Sequence, residues 1–124
     1  GGGKRSILYA WTGIEGYSKF GSYEGNGNAD GAFVYLGFKP ALLICKNIDA
    51  VGNWEMYTSK IDVYNPATKS IFADETTVEY SSGRTLDLLS NGFKQRNTNS
   101  NTNSGHTFIY MAWAEMPFKY ATAR

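Results

Sequence analysis

The chain has 124 residues, 42% of them hydrophobic and 15% aromatic, which suffices for one compact core and not for two full domains. Twelve Lys and Arg against eleven Asp and Glu leave a formal charge of +1, without the clustered basic surplus that a phosphate backbone demands, so no nucleic acid partner is expected. A single cysteine excludes an internal disulfide framework and any zinc site built on several thiolates.

Gly1-Gly2-Gly3-Lys4-Arg5 carries charge but no apolar stretch of signal-peptide length, and reads as a linker or expression remnant ahead of a single domain over 6–124. No apolar run reaches the length of a membrane-spanning helix, and no membrane insertion is expected. Fourteen Gly, nine Tyr and seven Phe with only three Pro describe short strands joined by Gly and Asn turns.

Ile7 to Thr12 is a β-branched and aromatic run ending at Gly13. Tyr17 to Tyr23 alternates, with Tyr17, Lys19, Gly21 and Tyr23 on one face and Ser18, Phe20 and Ser22 on the other, and Asn26-Gly27 closes it. A strand is expected over Ala32 to Phe38. Pro40 then opens Ala41-Leu42-Leu43-Ile44-Cys45-Lys46, apolar on both faces as a central strand is, with Cys45 as a small buried hydrophobe. Trp54 to Lys60 follows the turn residues Asp49, Gly52 and Asn53, with one side in the core and one partly wet.

Asn65-Pro66 has the chemistry to cap one helical turn through Thr68. Leu86 to Arg96 reads as a hairpin about Asn91-Gly92 in a type I′ turn, which sets Ser90 opposite Phe93, Leu89 opposite Lys94, Leu88 opposite Gln95, and Asp87 opposite Arg96 as an exposed ion pair. The polar stretch from Asn97 to Gly105 has nothing apolar to bury and reads as a surface loop. Thr107 to Ala114 is apolar on both faces and long enough to cross a sheet. Two such doubly buried strands, near 41–46 and 107–114, predict sheets packed face to face: an all-β antiparallel sandwich, jelly-roll or lectin-like, with few or no helices.

Chemistry is sparse in this pattern. The single histidine, His106, ends the Asn/Ser/Thr loop and reads as an exposed side chain, and none of the motifs H-E-x-x-H, G-x-S-x-G and G-x-x-x-x-G-K occurs. Asn26, Asn28, Asp30 and Gly31 match positions 1, 3, 5 and 6 of a calcium loop, but Gly37 stands where its closing carboxylate belongs, so an Asn-Gly turn explains them without a metal and no cofactor is expected. Among the acids, Glu24 with Asp30 and Glu55 with Asp62 read as solvated charges at strand edges rather than a glycosidase pair. Trp11, Trp54 and Trp113 and the nine tyrosines exceed what a small core needs; part of the set fills it, and the rest is available to stack on apolar sugar faces or to pack between subunits.

Gly37-Phe38-Lys39-Pro40-Ala41, Asn53-Trp54, Tyr64-Asn65-Pro66, Leu89-Ser90-Asn91-Gly92-Phe93-Lys94 and the closing run Ser104-Gly105-His106-Thr107-Phe108-Ile109-Tyr110-Met111-Ala112-Trp113-Ala114 together resemble a module of bacteriophage tail fibre and other virion adhesion proteins. The resemblance spans roughly residues 9–120 and departs from the pattern at His106, where a small residue is common. It implies a non-catalytic viral domain on a virion tail fibre, a homotrimer, whose receptor binding serves host attachment through a host cell-surface glycan or outer-membrane protein. Carbohydrate binding by loops would then fall to Asn26, Asn28, Asp30, Asn97, Asn99, Asn101, Asn103 and His106. The alternatives are a structural module that caps or trimerises the fibre and, with least support, a small glycan hydrolase; 124 residues without a repeat cannot build the stacked β-helix of a polysaccharide-cleaving tailspike.

Overall fold

A computed structural model describes residues 12–61, 64–73 and 83–115, so the expected strand at Ile7 lies, apart from Thr12, outside the described residues. Among the described residues there is no helix. The strands are β1 (Ser18–Glu24), β2 (Phe33–Tyr35), β3 (Pro40–Asn47), β4 (Glu55–Thr58), β5 (Ile71–Phe72), β6 (Leu86–Leu89), β7 (Gly92–Gln95) and β8 (Thr107–Ala114).

They form two antiparallel sheets, β1-β8-β3-β4-β5 and β2-β7-β6, so the chain is an all-β sandwich. β1 pairs with β8 and β2 with β7, a nested pairing like that of a jelly roll. β3 and β8 lie side by side inside the larger sheet, where their unbroken apolar runs belong. Their inward residues Leu43, Cys45, Phe108, Tyr110 and Ala112 are buried. Rings join the layers: Phe93 of the smaller sheet meets Tyr23 and Tyr110 of the larger edge-on at 5.6 and 5.7 Å, and Tyr23 stacks on Phe108 at 5.1 Å.

Several expectations need correction. The outward faces of β3 and β8 are half-buried rather than buried, because this face of the larger sheet is not in the interior between the two layers. The predicted strand at Ala32 to Phe38 stops at Tyr35, since the amides of Leu36 and Gly37 both turn to the carbonyl of Asn91, at 2.8 and 3.1 Å.

Asn65 caps no helix. Its side-chain amide pairs with the backbone of Leu88, donating to the carbonyl and accepting from the N–H, each at 2.9 Å, and so acts as a strand partner for β6. The hairpin forms in a register displaced by two residues from the expected one: Leu89 faces Gly92, Leu88 faces Phe93, Asp87 faces Lys94 and Leu86 faces Gln95. The cause is Gly92, which is used for close approach rather than for the turn; a Cβ there would run into the carbonyl oxygen of Val34 in β2. Asp87 and Arg96 still meet diagonally at 3.6 Å. β5, two residues long, carries no periodic signal and was not foreseen.

Candidate functional site

Three loops, 25–32, 48–54 and 96–106, emerge at one end of the sandwich, because β1, β3 and β7 all finish there and β8 starts there. The last was expected to lie at the surface. Instead Asn97, Thr102 and Asn103 are buried, and with Asn47 at the end of β3 they form a polar interior.

A side-chain amide has two donors and two acceptor lone pairs, and two buried asparagines use all four. Asn47 donates to Ser100 O at 2.8 Å and to His106 Nδ1 at 3.0 Å, and its Oδ1 accepts from the amides of Asp49 and Ala50. Asn97 donates to Thr85 O and Gln95 Oε1, and accepts from the Asn99 amide and the Thr102 hydroxyl. Asn103 joins two loops: its Nδ2 lies 2.6 Å from Asn97 O, 2.8 Å from Asn28 O and 3.1 Å from Asn26 Oδ1, and its Oδ1 accepts from the Asn26 amide. Burying these amides is tolerable only because their bonds are made.

The network also fixes the histidine. Two backbone amides hold Asn47 Oδ1, so its nitrogen faces the ring and donates, which makes His106 Nδ1 an acceptor and puts the ring proton on Nε2. His106 is therefore half-buried and structural on this side, not the exposed side chain expected.

The predicted contact residues divide accordingly. Asn26, Asn28 and Asp30 are exposed, side by side, and close to the 97–103 loop. Asn99 and Asn101 are half-buried, while Asn97 and Asn103 point inward and are unavailable to a ligand. Asn26 Oδ1 receives the Asn28 amide, Asn28 Oδ1 receives the Asp30 amide, and Asp30 sits 2.7 Å from the Lys94 ammonium, which holds its carboxyl below the usual range. Oxygens facing N–H groups and an ammonium are oriented against a cation. Among the described residues no three His, Cys, Asp or Glu side chains gather as metal ligands would.

Glu55 departs furthest from expectation, since it is fully buried rather than solvated. Arg84 Nε stands 2.7 Å from its Oε1, and Asn101 Nδ2 adds a bond at 3.2 Å, so the pair ties β4 to the loop end. Asp62 lies outside the described residues. Burial pushes the Cys45 thiol up to about 12 and the phenols of Tyr23 and Tyr57 well above their usual value.

The third loop was missed. Ile48 is more than half exposed and Val51 fully so, and they border an open depression of about 670 Å³ with Lys46, Asp49, Trp54 and Ile109. The available signal was two aliphatic residues inside a turn, where folding has no use for them. Asp49 anchors this loop by accepting the Thr107 amide at 2.7 Å. The loop end thus presents a polar lobe at 26–30 and an apolar lobe at 48–54.

Residues 1–117 match the model of a family described as a domain of unknown function (DUF7483), and the chain belongs to that family. No curated protein and no solved structure matches it.

Proposed function

We propose that this member of the DUF7483 family is a non-catalytic recognition domain of a virion tail fibre, with its loop end turned toward a host cell-surface glycan or outer-membrane protein. The observation that carries the reading is the pairing of order with exposure: buried asparagines bond the three loops to one another and to the strand ends, while Ile48 is more than half exposed and Val51 fully so. A preordered surface loses little freedom on binding, and several weak copies on one fibre would attach strongly.

The test is adsorption of the purified domain to host cells, comparing wild type with Ile48→Lys and Val51→Lys, two side chains that are more than half exposed. Loss of adsorption with unchanged folding supports the reading, and retained adsorption removes the loop end from it.

A second reading, a structural or trimerising fibre module, is favoured by a different observation. Phe20, Met111, Ile44, Met56 and Ile71 lie in register across all five strands on the outer face of the larger sheet, a half-buried apolar row where a sandwich is usually polar. On that reading Met111→Lys lowers the solution mass to that of a monomer; an unchanged mass rejects it.

A further inference from the structure

At the end opposite the loop tip, the edges of the two sheets meet along β1 and β2 and enclose a second cleft of about 460 Å³. Tyr35 stands at this cleft and is 60% exposed, although its neighbours Val34 and Leu36 are in the core. Lys19 reaches across from β1, donating to Tyr35 O at 3.1 Å with its ammonium 5.5 Å from the ring centre. Glu15 adds a carboxylate to the lining, which Gly13, Gly16, Ser18, Leu36 and Gly37 complete. Gly37 is at φ 82°, a left-handed conformation that a side chain would strain, and it lies beside the Tyr35 ring, where an added Cβ would stand in ordinary van der Waals contact with the hydroxyl at 3.6 Å.

We infer that this cleft binds one neutral sugar residue, stacked by its apolar face on Tyr35 and held through its hydroxyls by Glu15, Lys19 and the glycine-lined backbone. The chemistry selects the ligand class. An exposed ring supplies a flat apolar platform, and the charged groups around it are one cation and one anion, a balance that suits hydroxyls, which both donate and accept, better than a charged ligand. The volume accommodates a sugar residue with its shell of water. Lys19 is already pinned to a backbone carbonyl, so its remaining donors are ordered before a ligand arrives.

The inference goes beyond the loop-tip reading and does not depend on it. Its test is an NMR titration of the purified domain with methyl glycosides of neutral hexoses and N-acetylhexosamines, and with a sialic acid glycoside as the anionic comparison. The expected result is millimolar binding of a neutral glycoside that shifts the amides of Gly13, Gly16 and Gly37, with no such response to the acidic sugar. Tyr35→Leu weakens it about tenfold or more, Tyr35→Trp retains it, and Tyr64→Leu, at an exposed ring elsewhere, has no effect. No response to any neutral glycoside at tens of millimolar, a response unaltered by Tyr35→Leu, or loss in both Tyr35 variants overturns the inference. Ile48→Lys and Val51→Lys leave this titration unchanged, so the two readings fail separately.

Discussion

Phe93 and Asn103 are equally hidden from water, each with none of its surface exposed, but they are held by opposite chemistry. Phe93 sits among rings, where displacement of water supplies the free energy and orientation is a refinement. Asn103 sits among carbonyls and amides, where burial is unfavourable until each bond is made, so position is everything. The middle of the sandwich is expected to tolerate a change of shape better than a change of polarity, and at the loop end a change of one atom from donor to acceptor is expected to disturb the packing.

That contrast can be broken by substitution. Phe93→Ala is expected to cost about 3–5 kcal/mol in urea unfolding, as large-to-small changes in a packed core do, while leaving the amide shifts of 97–104 nearly in place. A loss below a third of that would mean that the layers are not joined through this ring. Asn103→Ala leaves buried carbonyls without donors and is expected to cost about 1–3 kcal/mol, with Asn103→Asp worse because a carboxylate would then face Asn97 O and Asn28 O. If Asp is tolerated as well as Ala, the latch is not the source of order.

Alkaline pH sharpens the comparison from the core side. Cys45 keeps its proton to about 12 when folded and releases it near 9 when unfolded, so stability is full below pH 9 and is lost as pH rises through the folded value. Tyr23 and Tyr57, raised by the same burial, act in the same direction. The urea midpoint should therefore fall markedly from pH 8 to pH 11, and less in Cys45→Ala; equal loss in the variant would remove the thiol from the account. The smallest expected effect lies outside both regions: Asp87→Ala breaks a partly exposed pair with Arg96 and should cost about 0.2–1 kcal/mol, diminishing with added salt.

The same contrast explains what was legible beforehand. Apolar periodicity locates β3 and β8, and β8 begins and ends where its run of apolar residues does. The hairpin at Asn91-Gly92 was legible as a hairpin, but its register was set by the approach of β2 to Gly92, a tertiary demand with no local trace. Polar composition at 97–104 read as exposure, because nothing in the sequence says that Asn97 will find Thr85 and Gln95, or Asn103 the 26–28 turn. Alternation at Trp54, Glu55, Met56 and Tyr57 gave the two faces of β4 without telling that the inward one carries a carboxylate, since its cation, Arg84, comes from a distant segment.

The order of the loop end is the claim on which the rest stands, and backbone 15N relaxation of the isolated domain measures it directly. Order parameters for residues 97–104 close to those of β3 and β8, about 0.85, are expected from a latched surface. Values below about 0.6 there, with the strands remaining rigid, would contradict it.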